Sequence, residues 1–220
     1  MRNHSQSGLT LIELLVTMLI SGMLISAVYS IFSAHHKMAI KQEETTLMQQ
    51  ELLSAMVRIT EELRMCGFSA SGRRTFGFSH QPAIGAPGYG RGTNATAIYC
   101  TLDWNGDGII NESGAGSARE HVGYRLNVSN NGAAKAVADN VLRKYDTGAV
   151  HWQPFSTNIS DIRFNYLDNA GNLIPDASLA LDSIRSVQVS ITAVPSAHRS
   201  ALGIRPRTMT STVKCRNIAE

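Results

Sequence analysis

No proline stands before Pro82, no charged residue lies between Leu14 and Ala34, and only three cysteines occur in 220 residues. Without proline, nothing in the first part of the chain forces a helix to break. Without charge, Leu14 to Ala34 can lie in hydrocarbon: at ~1.5 Å per residue the run spans roughly 30 Å, the thickness of a bilayer's apolar core. Cys66, Cys100 and Cys215 form no CxxC pair, which leaves a zinc or redox centre without support. Nucleophile-elbow, phosphate-loop and zinc-helix motifs are also missing. His35 and His36 are adjacent and would point roughly 100° apart on a helix, while His80, His121, His151 and His198 are scattered singly. No catalytic constellation is visible, and no enzymatic activity is expected. The formal net charge of +3 is too mild to imply a nucleic-acid partner.

What is present starts at Gly8-Leu9-Thr10-Leu11-Ile12-Glu13, directly before the uncharged run. Glu13 would sit at the membrane's apolar edge, where an ionised carboxylate needs a partner. If the chain is cut after Gly8, the new α-amine of Leu9 is a candidate cation. The amine of the same chain is poorly placed, but that of an axially staggered neighbour could reach Glu13. Wrong register would leave a buried charge unpaired, at a cost of several kcal/mol. An ordinary signal anchor would use Glu13 only as a boundary marker. A cleaved secretory signal fits poorly, since the apolar run is too long and Ser33-Ala34-His35 is a weak cleavage site. Arg2 on one side and Lys37 and Lys41 on the other leave orientation undecided by charge.

Gly8, Leu9 and Glu13, after the polar leader Met1 to Ser7, resemble the class III signal of type IV pilins and type II secretion pseudopilins. The resemblance implies cleavage behind Gly8 by a prepilin peptidase, N-methylation of Leu9 and a role for Glu13 in assembly. Leucine replaces the commoner phenylalanine at the new N-terminus. The resemblance also implies an inner-membrane single-pass protein whose C-terminal domain faces the periplasm before it enters a pilus or pseudopilus.

Beyond the membrane-length run, Met48, Leu52, Ala55, Met56, Ile59, Leu63 and Cys66 recur at intervals of three and four, which describes one face of an amphipathic helix. Gly67 stands where a helix-terminating glycine is expected. The organisation read from the chain is a leader at 1–8, an apolar helix at 9–36, its amphipathic continuation at 37–68 and a β-rich domain at 69–220. Ser69 to Gly92 reads as an irregular connection. Thr96 to Leu102, His121 to Val128, Ile159 to Leu167, Ser183 to Val194 and Thr208 to Arg216 read as strands. Asp168-Asn169-Ala170-Gly171-Asn172 reads as the turn leading to Leu173-Ile174. The fold class is therefore α+β, a long N-terminal helix packed on an antiparallel sheet.

Several of these segments carry a narrower resemblance. Glu62 to Phe68, the stretch from Val141 through Ile162 to Tyr166 and Gly171, Ile184 to Ile191, and Val213 to Asn217 look like the PilW-type minor pilins. J-type pseudopilins of type II secretion share the plan, including a terminal Arg-Asn. This implies a low-abundance subunit that helps initiate or cap a filament with other minor pilins and the major pilin, with twitching motility, cell adhesion and DNA uptake all open as the output.

Two further features have chemistry of their own. Asp103, Asn105, Asp107, Ile109 and Asn111 alternate around glycines as the ligands of calcium loops do, with Ile109 offering its carbonyl. The usual twelfth-position acid is replaced by Gly114, so that Glu112 or Glu120 would have to serve. A polar hairpin turn is the plainer alternative. Among the cysteines, Cys100 and Cys215 fall in expected strands and are the favoured disulfide, with a pairing to Cys66 left open. Finally, His198, Arg199, Arg205, Arg207, Lys214 and Arg216 form a basic cluster that could meet DNA or an acidic patch on another subunit.

Overall fold

The computed structural model of the chain describes residues 10–70, 76–78, 80–81, 91–110, 120–127, 135, 137–145, 152–177 and 180–218. One helix, α1 (Leu11–Met65), runs unbroken for 55 residues. Thr10 precedes it, and its Oγ1 accepts a hydrogen bond from the Glu13 backbone N–H at 3.4 Å, as a helix-capping hydroxyl does. The helix stops where the sequence expects. Gly67 adopts a left-handed φ of 77°, and its N–H donates to the Thr101 carbonyl at 3.0 Å. A side chain there would press on the Asn217 carbonyl oxygen, 3.0 Å from an added Cβ.

The chain divides into two compact units, Met1–Glu44 and Thr45–Glu220. In the first, every large apolar side chain from Leu11 to Phe32 is exposed. A soluble unit rarely leaves such a continuous apolar surface in water. Among the described residues, α1 is the one helix long and apolar enough to cross a membrane.

Among the described residues, the second unit contains the rest of α1 and ten strands: β1 (His80–Gln81), β2 (Arg91–Gly92), β3 (Ala97–Thr101), β4 (His121–Leu126), β5 (Leu142–Tyr145), β6 (Trp152–Ser156), β7 (Ile159–Leu167), β8 (Leu173–Ile174), β9 (Ser186–Ala193) and β10 (Arg207–Lys214). They form two four-stranded sheets, in the orders β3-β4-β5-β6 and β10-β9-β7-β8, and a β1-β2 ribbon. All pairs are antiparallel. The fold is α+β and pilin-like, with the amphipathic part of the long helix packed on antiparallel sheets.

The stripe read from the sequence is the stripe that is buried. Met48, Leu52, Ala55, Met56, Ile59, Leu63 and Cys66 share one core with Ile98, Tyr124 and Leu142 of the first sheet and Phe164, Val189, Ile191 and Val213 of the second. Glu62, one residue from that stripe, ties the helix to two strands. It accepts hydrogen bonds from the Tyr124 hydroxyl at 2.6 Å and Lys144 Nζ at 2.5 Å, and it pairs with Arg58 at 2.7 Å. Burial, then the nearby Glu62 charge, raises the Tyr124 hydroxyl far above its usual range, so Tyr124 stays a donor.

Tyr99, Tyr145 and Trp152 form a separate buried cluster, with His121 against Tyr99 and Tyr145. Gly123 faces it without room for a side chain: an added Cβ would meet Tyr145 Cβ and Tyr99 Cδ2 at 3.0 Å and Trp152 at 3.3 Å. Strands β5 and β6 are not expected from the sequence. Arg143 and Lys144 hide the apolar alternation of β5, and Pro154 argues against β6. Pro154 is tolerated because β6 is the edge of its sheet, where a missing N–H breaks no ladder. The segment read as an irregular connection contains the short β1 and β2.

Candidate functional site

Gly8 and Leu9 lie outside the described residues. Glu13 lies in the first turn of α1 and is exposed. At the third helical position, its charge also suits the positive end of the helix dipole. Thr10 is absent from the sequence expectations, although threonine followed three residues later by glutamate is a capping signal.

The loop after β3 is held by its own acids. Asp103 Oδ1 accepts from the Gly106 N–H at 2.8 Å and Oδ2 from the Gly108 N–H at 3.2 Å. Asn105 Oδ1 accepts from the Asp107 N–H at 2.9 Å, and Asp107 Oδ1 accepts from the Ile109 N–H at 2.7 Å. Gly106 and Gly108 both adopt the left-handed φ that these turns require, 79° and 74°.

Across from this turn lies Glu120, immediately before β4. Its carbonyl accepts the Leu102 N–H at 2.9 Å, which extends the β3–β4 pairing to the mouth of the loop. One carboxylate oxygen from each of Asp103, Asp107 and Glu120 lies within 4.8 Å of the others. Asp103 and Glu120 are buried, while Asp107 is exposed. Three carboxylates with spare lone pairs are a hard, oxygen-only donor set, suited to calcium rather than to a thiophilic metal. The third acid thus comes from the residue that leads into the neighbouring strand, β4. Asn105 lies in the same turn, with its Nδ2 donating to Asp107 Oδ2 at 2.9 Å, and Asn111 falls outside the described residues. Trp104, half exposed, lines a groove of about 380 Å³ together with Glu61, Met65 and His121.

The cysteine expectation requires correction. Cys66 is bonded to Cys100, with Cα atoms 5.8 Å apart, and Cys215 is a buried free thiol. Cys66 and Cys215 both reach the core, and the fold places Cys66 against β3. Burial pushes the Cys215 thiol up to about 12, so it remains protonated and unreactive. Of the basic cluster, Arg205, Arg207, Lys214 and Arg216 are exposed around β10.

Residues 3–29 match the model of the prokaryotic N-terminal methylation motif. That motif, at the head of an exposed apolar helix joined to antiparallel sheets, defines a type IV pilin-like protein that depends on prepilin peptidase. Residues 41–215 match the model of prepilin peptidase-dependent protein B, and the chain belongs to that family. No curated protein and no solved structure matches the chain.

Proposed function

We propose that the protein is a minor pilin that helps initiate type IV pilus assembly with other minor pilins, after cleavage behind Gly8 and N-methylation of Leu9. The observation that carries this reading is the methylation motif at the head of a helix whose large apolar side chains, from Leu11 to Phe32, are all exposed. Such a surface has two uses in sequence: lipid covers it before assembly, and neighbouring helices cover it afterwards. Glu13 pairs with the N-terminal amine of an adjacent subunit and sets the register. The β-rich unit lies on the periplasmic side and selects partners, the other minor pilins and the major pilin. The PilW-like segments support the minor role, while their J-type likeness supports a second reading, a pseudopilin at the tip of a type II secretion pseudopilus. No catalytic step belongs to either.

The loop at Asp103, Asp107 and Glu120 is proposed to take a calcium ion as a structural brace for the end of β3 and the start of β4. Their proximity favours this reading over a plain hairpin turn.

The filament reading is tested by quantifying the chain in sheared surface filaments. The expected result is a mature protein beginning at methylated Leu9, present far below the major subunit. A chain still beginning at Met1 in a strain with active peptidase contradicts it. A second variant, Glu13→Gln, is expected to be processed normally and to be depleted from filaments.

A further inference from the structure

Strand β10 ends its sheet, in the order β10-β9-β7-β8. It pairs with β9 through all eight of its residues, from Arg207↔Ala193 to Lys214↔Ser186, with no shift of register. Among the described residues nothing pairs with its outer edge. Alternate backbone N–H and C=O groups of such a strand point away from the sheet and template another strand. Natural edges are blunted by a bulge, a proline, short length or charged side chains; β10 has no bulge or proline and runs eight residues, and its charges stand only at its two ends. Its outward-facing hydroxyls are drawn onto the sheet: Thr208 and Thr210 bond across to Thr192 at 2.9 Å and Ser190 at 2.8 Å. Among the described residues, the backbone edge is left open.

Charge then distinguishes the possible occupants. Arg207 and Lys214 close the two ends of β10, with Arg205 and Arg216 just outside them, and all four are exposed. None of the four has an ion pair among the described residues. The stretch between them, Thr208 to Val213, is neutral. If a second copy added its own β10 antiparallel and centred, each Arg207 would face a Lys214. Like charges directly opposite destabilise a strand pair. A strand with acids seven residues apart, roughly 24 Å when extended, would instead meet a cation at each end.

We propose that the open edge of β10 docks, by strand addition, an extended segment of a different protein that carries acidic residues about seven positions apart. Main-chain hydrogen bonds supply the affinity, and Arg207 and Lys214 set specificity and register. The proposal goes beyond the pilus-initiation reading and does not rest on it.

The test uses the full chain in detergent and two eight-residue peptides of alternating valine and threonine, one with glutamate at both ends and one with lysine. Hydrogen exchange and fluorescence anisotropy are read together. The glutamate peptide is expected to bind at least tenfold more tightly than the lysine peptide and to slow exchange at alternate amides of Arg207–Lys214. The doubly reversed variant Arg207→Glu/Lys214→Glu, both positions being exposed, is expected to prefer the lysine peptide. Should that variant fail to fold, the two peptides on the natural chain still decide. Equal binding of both peptides, no protection of β10, protection produced by raising the protein concentration alone, or displacement of the glutamate peptide by a single-stranded oligonucleotide would each overturn it.

Discussion

Cys66, the first residue beyond α1, is covalently joined to Cys100 of β3, so the end of the long helix is fixed to the first sheet. The bond closes a loop of sequence separation 34, and chain-entropy arguments give such a loop about 3–4 kcal/mol of stabilisation. Peptide mapping is expected to recover Cys66 linked to Cys100. Cys215 should alkylate only after denaturation. The double variant Cys66→Ser/Cys100→Ser should lose about that stability in denaturant unfolding; an unchanged midpoint would contradict the role assigned to the bond.

Gly123 is the narrowest point of the aromatic cluster. Gly123→Ala puts a methyl group 3.0 Å from both Tyr145 and Tyr99, and both belong to a fully packed set. Overpacking of this kind costs ~1–3 kcal/mol. The expected outcome is a lower Tm with a changed near-UV signal, because the rings must shift. Full retention of both would show that the cluster yields easily.

Acid stability reports on Asp139. Burial alone would raise its carboxyl, but hydrogen bonds from Arg143, Lys135 and the Val141 N–H outweigh burial and hold it down at about 2. A carboxylate depressed in the folded state stabilises fully above its usual value near 3.8, and the contribution fades as pH falls towards 2. Asp139→Asn is therefore expected to be less stable at neutral pH and to show a shallower loss of stability between pH 4 and pH 2. Identical acid profiles for the two proteins would remove Asp139 from the account.

The long helix was legible because its evidence is local. An apolar run, a three-and-four stripe and Gly67 all lie in consecutive sequence. β7 (Ile159–Leu167) was legible for the same reason, with its buried and exposed residues alternating from Ile162 to Tyr166. β5 and β6 were not, because Arg143, Lys144 and Pro154 carry local preferences that sheet position overrides. The acid site was half legible: Asp103 and Asp107 announce the turn, whereas Glu120 joins them only through the β3–β4 pairing. The disulfide pairing is illegible for a related reason. Periodicity marks Cys66 and Cys215 as buried, but it does not say which of them the fold brings to Cys100.

Calcium is expected to raise the Tm of the full chain in detergent and to alter emission from Trp104, which adjoins the loop. At a hundredfold excess over Kd the gain would be about 2.7 kcal/mol. Asp103→Asn and Glu120→Gln should each lose the response. Magnesium should act more weakly, because three fixed carboxylates leave it little of its preferred water shell. No shift at millimolar calcium would return the loop to a plain hairpin turn.

The measurement that bears most directly on the central claim is the amount of sheared surface pili, assayed beside secreted exoprotein activity, in a clean deletion strain and its complemented control. The account predicts loss of pili with normal secretion, restored on complementation. Normal pili with lost secretion would contradict it and place the protein in a type II secretion pseudopilus.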